Sequence, residues 1–374
     1  MFLIAVALLL GLIAISVLFA FLLHPLLPPT LRRPFGASNH RLGVALGAQS
    51  VQAAARKILG PLAFAIQEDA SNRLNGITNI EVSFYQAALP RWLPAAWRSR
   101  IVESGRRSFR TLSFVRKVFA GPYEAAMLRA LYRYQAVHPP SSIPPVPRVL
   151  GVHPEPVSCT AYLEDLPSTG EWRLASKEDA VLLARSIADL QAYLAWAEAY
   201  CELSLPGQSL LLNSRRAKEL ILGADEPGFD SEKFLERLGR VRARLAALPL
   251  LLSHNDIGPH NMSVSRAPDN RLVIRFIDFG IAHRNFLGAD LHHYAVWSLA
   301  NASNQRIFNA LVAAYAEAVC QPLRDVRLGA YGYALRRILM RWWRVEELRG
   351  SQQRSRAYLC KICALLEKAE QEIG

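Results

Sequence analysis

Five side chains in this sequence could together handle a phosphoryl group. Asp256 and Asn261 stand five residues apart in the polar stretch SHNDIGPHN, and Asp278 closes a β-branched run in IDFG. Lys117 lies in the alternating run TLSFVRKVF, and Glu124 follows at the start of a helical pattern, YEAAMLRALYRY. Transfer to an alcohol needs a carboxylate that orients or deprotonates the hydroxyl, oxygen ligands that hold Mg2+ against the phosphates, and a cation on the nucleotide tail. Asp256 fits the first role, Asn261 and Asp278 the second and Lys117 the third, with Glu124 placed to hold the lysine. Each has an ordinary reading when taken singly: Asp-x-x-x-x-Asn is a common loop sequence, and a lone strand lysine is usually solvated. The order along the chain singles out phosphoryl transfer: lysine, glutamate on a helix, His-x-Asp-x-x-x-x-Asn, then a strand ending in Asp-Phe-Gly.

These groups need a scaffold that joins strands to helices. Strand composition marks Ile77–Tyr85, Thr111–Phe119 and Cys159–Leu166, and a proline-stiffened stretch, His138–Val152, leads into a further strand. The run Ala88–Arg110 between the first two strands is basic and aromatic and reads as an insertion. Helical patterns follow at Ser176–Tyr200, with Ser176 as N-cap and Asp179 at the third helical position, and at Ser231–Leu248. The short strands MSVS and LVIRFID bracket the metal-ligand candidates, and from Asp290 onward the pattern is helical, with Leu335, Ile338, Leu339, Trp342 and Trp343 at the spacing of a packed face. Strands first and helices afterwards imply an α+β body in two lobes. The N-terminal lobe is expected over 76–166 and the helical lobe, with the catalytic loop, over 167–374. Residues 25–75 form a juxtamembrane segment, helical from Gly43 to Leu74 with a break at Gly60-Pro61.

The N-terminus asks for a different environment. Phe2–Leu23 is 22 residues without a charge, 16 of them Leu, Ile, Phe or Val. As a helix it is about 33 Å long, enough to cross a hydrocarbon core. It lacks the basic start and small-x-small site of a cleaved signal, so residues 1–24 read as a transmembrane anchor. The formal charge of +13 is concentrated just beyond it, with 17 Lys or Arg against 5 Asp or Glu in residues 31–150. The positive-inside rule then leaves a single-pass protein of the cytoplasmic membrane with its body facing the cytoplasm, beside an anionic membrane surface. Five scattered cysteines fit a reducing compartment, and Cys360-x-x-Cys363 lacks the second pair that a zinc site needs. Trp92 and Trp97 in the basic stretch permit nucleic-acid binding, but a membrane tether argues against it.

The catalytic stretch and its surroundings resemble the aminoglycoside phosphotransferase and choline kinase-like family, whose fold is protein kinase-like. The family's loop, His-Gly/Asn-Asp-x-x-x-x-Asn, is here HNDIGPHN, and its second Asp after the metal strand is here Asp290 in GADL. IPPVPRVLGV and YLEDLP resemble its proline-rich approach and its hinge, which implies adenine contacts from the backbone of Glu164 and Leu166. NGITN, Asn75–Asn79, is similar to its phosphate loop, which implies nucleotide contacts from Gly76, Thr78 and Asn79; ESGRRS is the other candidate for that turn. The helix before the catalytic loop carries ADLQAY where the family usually has a His. Asp290 is expected to brace the catalytic loop, and His292 and His293, without a spaced third ligand, to be structural or surface residues. The resemblance implies an ATP- and Mg2+-dependent kinase acting on an alcohol group of a small molecule, a sugar, an amino alcohol or a lipid-linked head group. A catalytically silent nucleotide- or partner-binding module on the same fold is the alternative.

Overall fold

The computed structural model describes residues 66–75, 81–88, 111–119, 122–138, 143–154, 159–166, 172–201, 215–224, 227–267, 269–347 and 352–374. The expected anchor, residues 1–24, lies outside these residues, as do Gly76, Thr78, Asn79 and nearly all of the 88–110 insertion. No helix among the described residues is long and apolar enough to cross a membrane.

The N-terminal lobe is an antiparallel sheet of five strands in the order β1-β2-β3-β5-β4, formed by β1 (Ile66–Asn75), β2 (Glu81–Ala88), β3 (Thr111–Phe119), β4 (Val149–Pro154) and β5 (Cys159–Glu164). Here the structure corrects the sequence reading, which ran a helix through to Leu74. Residues 66–75 form the edge strand, with Ile66 opposite Ala87 and Asn75 opposite Glu81. A strand partner decides such a segment more than its own composition does, so the lobe begins ten residues before position 76. Gly76, Thr78 and Asn79 fall in sequence between the paired strands β1 and β2, outside the described residues. Between β3 and β4 runs the helix α1 (Pro122–Val137), whose Met127, Leu128 and Leu131 are fully buried.

The C-terminal lobe is helical. It comprises α2 (Lys177–Glu198), α3 (Arg215–Leu222), α4 (Ser231–Leu245), α5 (His292–Ser298), α6 (Ala302–Ala318), α7 (Leu323–Glu347) and α8 (Gln352–Gln371). The helix α2 starts where expected: the Ser176 hydroxyl accepts from Asp179 N–H, and the Asp179 carboxylate accepts from Ser176 N–H. This reciprocal cap satisfies two of the orphan donors of the first turn. Leu183, Ile187 and Leu190 recur at helical spacing and are fully buried, as are Phe308, Leu311 and Tyr315 of α6. Each such side chain contributes roughly 1.5–3 kcal/mol by leaving water. In α7, Leu335, Ile338, Leu339 and Trp342 are buried as their spacing implied.

Two devices fix the parts that carry chemistry. The hairpin of β7 (Met262–Arg266) and β8 (Leu272–Phe276) docks on the proline-rich stretch, whose prolines offer carbonyl acceptors and no donors. Arg275 donates to Pro144 O at 3.1 Å and Val146 O at 2.8 Å, and Phe276 N–H to Pro145 O at 2.8 Å. The second pair, β6 (Leu250–Ser253) with β9 (His283–Phe286), leads into a turn at Gly288, with φ of +83°. There α7 comes so close that a Cβ on Gly329 would stand 1.6 Å from the Leu287 carbonyl oxygen. Only glycine permits that approach, and it sets the azimuth of α7 two turns further on, at Arg336 and Arg337.

Candidate active site

Lys117 joins the two lobes at the site. It lies on β3, buried, and its ammonium donates to Glu124 on α1 and to Asp278 Oδ1 at 2.7 Å. Burial alone would lower the Lys117 pKa, but the charges of Glu124 and Asp278 more than reverse this and hold the ammonium protonated. Burial pushes the Glu124 carboxyl up, against the pull of Lys117. Asp278 moves the other way: burial would raise it, but Lys117 and the Gly280 N–H hold it below its ordinary value. Asp278 adopts φ of +67°, a left-handed conformation that costs a non-glycine residue roughly 1–3 kcal/mol and clusters at functional sites. A Cβ on Gly280 would lie 3.3 Å from Asp278 Oδ1 and 3.4 Å from Glu124 Oε2, so the residue after Phe279 must be small.

The catalytic loop is tied to this strand and to the lobe beneath it. The His254 ring faces a carbonyl, Ile277 O, at 2.8 Å, so Nε2 carries the proton and donates. Burial lowers the His254 pKa and keeps the ring neutral. Ile277 N–H donates in return to Asn261 O at 3.0 Å. Asp290 is fully buried, and accepts from Asn255 N–H at 2.6 Å, His254 N–H at 3.3 Å and the Gln191 amide at 2.9 Å. It braces the loop as the sequence suggested. Gln191 in turn accepts from the Tyr315 hydroxyl. The departure at ADLQAY thus has a structural account: the amide bridges a carboxylate and a phenol, one by each end.

Asp256 and Asn261 meet as their spacing demands. The short 3-10 turn Pro259–Asn261 brings the Asn261 amide nitrogen within 2.9 Å of Asp256 O and 3.1 Å of Asp256 Oδ2. The nitrogen is therefore committed, and the amide oxygen is the atom left for a metal. That oxygen and the Asp278 carboxylate are hard donors of the kind Mg2+ takes, so the residues present fit the ion.

Asp256 also has partners that the sequence did not disclose. Its Oδ1 accepts from His293 Nε2 at 3.0 Å and from Arg337 Nη2 at 3.3 Å, and His260 stands 3.8 Å from Oδ2. Burial would raise the Asp256 pKa, but the His293 hydrogen bond and the charges of Arg337, His293 and His260 hold it far below the usual carboxylate range. His293 was expected to be structural or a surface residue; it touches the Asp256 carboxylate instead. Its neighbour His292 is the structural one, with Nδ1 donating to Ala289 O at 3.0 Å.

At the hinge, Glu164 was expected to meet adenine through its backbone, and its carboxylate is buried and committed elsewhere. It takes both Arg275 nitrogens, at 2.9 and 2.5 Å, and the Arg148 N–H at 3.0 Å. The acid locks β5 to β8, and the Glu164 N–H donates to Arg148 O at 2.9 Å. Leu166 lies just beyond, half-buried.

Comparison with known proteins agrees with this geometry. Residues 97–329 match the model of the phosphotransferase enzyme family. No curated protein sequence matches the chain. Among solved structures, a protein from Ralstonia eutropha JMP134 assigned as an aminoglycoside phosphotransferase superposes with a TM-score of 0.54 at 12% identity, over 87% of this chain and 97% of that one. The macrolide 2′-phosphotransferase of Brachybacterium faecium gives a TM-score of 0.47 at 17% identity, over 80% of this chain and 92% of that one.

Proposed function

The chain belongs to the phosphotransferase enzyme family, and on that premise we propose that it transfers the γ-phosphoryl group of ATP to a hydroxyl of a small molecule or head group. The observation that carries this reading is Lys117, bonded at once to Glu124 and to Asp278 across the two lobes. A purely structural lysine has no need of a strained aspartate from the other lobe. In the reaction the acceptor hydroxyl oxygen bonds to the γ-phosphorus, the bond to the β-phosphate oxygen breaks, ADP leaves, and the hydroxyl proton passes to Asp256. Asp256 is a weak base here, so its main task is to aim the hydroxyl; such transfers depend chiefly on positioning and electrostatics. Lys117 holds the nucleotide phosphates and Glu124 holds Lys117. Asn261 and Asp278 would hold Mg2+, which supplies charge neutralisation on the phosphates. Gly76, Thr78 and Asn79 would cover them, and the hinge main chain at Glu164–Leu166 would meet the base.

A second reading, a silent nucleotide-binding module, is favoured by one observation: Arg337 and His293 occupy the Asp256 oxygen that a hydroxyl would use. Thermal melting of the full chain with ATP, with and without Mg2+, and in parallel for Asp278→Ala, tests the nucleotide site that both readings share. Mg2+-dependent stabilisation lost in the variant supports the site; no stabilisation of the wild type contradicts both. Consumption of ATP, with an acceptor panel, then separates the enzyme from the silent module. The charge-free run Phe2–Leu23 and the basic excess behind it support anchoring in the cytoplasmic membrane with the body on the ATP side. Deleting residues 1–24 should move the chain to the soluble fraction in high salt.

A further inference from the structure

The surroundings of Asp256 are cationic well beyond what one carboxylate requires. Arg337 and His293 both bond to its Oδ1, and His260 stands beside Oδ2. One position before Arg337, the Arg336 guanidinium lies 5.7 Å from the Tyr333 ring centroid, a cation–π contact that holds it in place. Its Nε and Nη1 are buried and have no hydrogen-bond partner among the described residues. No carboxylate among the described residues pairs with it. Burial lowers the Arg336 pKa and Arg337 adds repulsion. His283 feels both arginines as well, and its Nε2 is another buried nitrogen without a partner among the described residues. Asp290, which acts with Asp256 on the neighbouring Tyr333, is spent on the His254–Asn255 backbone. A guanidinium left buried without an anion costs several kcal/mol, which a fold can carry when a ligand supplies the counter-charge.

We propose that Arg336 and Arg337, with His293 and His260, form the acceptor side of the site and select an alcohol that bears an anionic group, a phosphate or a carboxylate, a few ångströms from the hydroxyl to be phosphorylated. This deepens the phosphotransferase reading and rests on it. The side chains of Asp256, Arg337 and His293 are each about a quarter exposed and that of His260 is 62% exposed, so an acceptor that reaches the carboxylate also reaches Arg337 and the two imidazoles, with Arg336 behind them. Guanidinium groups suit such acceptors because their planar N–H pairs match carboxylate and phosphate oxygens. A polycationic acceptor would instead meet the Arg337 guanidinium and the two histidines around a single carboxylate. The anion also frees the chemistry: once it engages Arg337, that side chain competes less for the Asp256 oxygen that the hydroxyl needs. Asp256, His292 and His293 lie close enough together to suggest a cation site. Arg337, at 3.3 Å from the same carboxylate, opposes a second positive charge there.

The test is calorimetric titration of the full chain in detergent with inorganic phosphate, and with glycerol 3-phosphate against glycerol. Each titration is run with and without saturating Mg-ADP, so that the nucleotide phosphate site is blocked in one arm. Wild type should bind both phosphates, and not glycerol, with ADP present. Arg336→Gln and Arg337→Gln should each weaken that binding at least tenfold while Mg-ATP affinity stays within twofold. Arg336→Lys should recover part of it, which guards against a folding defect. Phosphate binding unchanged in both glutamine variants, or absent with ADP present, overturns the proposal. Failure of Mg-ATP to bind overturns the phosphotransferase reading instead, and the ADP-free arm still reads the anion site. A competing titration with vesicles that contain phosphatidic acid separates the sources: displacement of glycerol 3-phosphate points to a lipid head group, and no displacement to a soluble acceptor.

Discussion

Replacing Asp290 with alanine should loosen the catalytic loop more than any change on the loop itself. Its carboxylate accepts three bonds, at 2.6, 2.9 and 3.3 Å, from Asn255 N–H, the Gln191 amide and His254 N–H. All three donors belong to buried residues, so alanine leaves them without an acceptor. Bonds to a charged acceptor contribute about 1.5–3 kcal/mol each, and the 3.3 Å bond falls at the weak end. Relief from burying an anion offsets part of the loss. The net cost should be about 3 kcal/mol, out of the roughly 5–15 kcal/mol that hold a folded domain. Asp290→Asn should cost about half as much, because Gln191 can turn its amide and accept from the new NH2 group, with the Tyr315 hydroxyl as the other neighbour. Thermal melting should show a drop of about 5 °C or more for the alanine variant and a smaller one for the asparagine variant. Turnover should fall in both, since Asn255 and His254 flank Asp256. An alanine variant with wild-type melting and wild-type ATP turnover would refute the brace.

Three further outcomes follow from other parts of the site. Lys117→Met and Glu124→Gln should be non-additive on ATP affinity, with a coupling of about 0.5–3 kcal/mol in a double-mutant cycle, because each positions the other; strict additivity would separate them. His283 is held at a pKa of about 4 by burial, with the Arg336 and Arg337 charges adding to it. The unfolded chain therefore binds the extra proton between about pH 6.5 and 4, and this residue's contribution is full above 6.5 and lost as pH falls toward 4. Allowing for its partial exposure, His283→Gln should remove about 1–2 kcal/mol of acid-sensitivity, read as a flatter melting temperature over that window. Gly329→Ala should destabilise by several kcal/mol or misplace α7, since its Cβ would sit 1.6 Å from a backbone oxygen; a melting temperature equal to wild type would show that the helix can retreat freely.

What the sequence disclosed was what is local. Asp256, Asn261 and Asp278 lie on one loop and the strand pair after it, so their spacing already encodes their meeting. Lys117 and Glu124 are seven residues apart across a single strand-to-helix turn. The Asp290 brace was legible because it follows the metal strand at short range. Long-range partners were not. Arg337 is 81 positions from Asp256 and reaches it only because Gly329 lets α7 press on Leu287 and Gly288. Gln191 and Tyr315 are 124 positions apart. The Glu164 carboxylate was equally silent: nothing local shows that Arg275, 111 positions on, will take both its oxygens. The strand Ile66–Asn75 was read as helix because an edge strand is fixed by its neighbour, and its own residues give no alternating apolar face.

The central claim is phosphoryl transfer at Asp256. The direct measurement is acceptor-dependent release of ADP from Mg-ATP by the full chain, in parallel with Asp256→Asn, against paired panels of neutral, cationic and anionic alcohols. The account predicts turnover in the wild type, a loss of at least 10²-fold in the variant, and unchanged Mg-ATP affinity in both. Equal turnover by wild type and variant, or Mg-ATP binding with no acceptor-dependent ADP release in any panel, would contradict it.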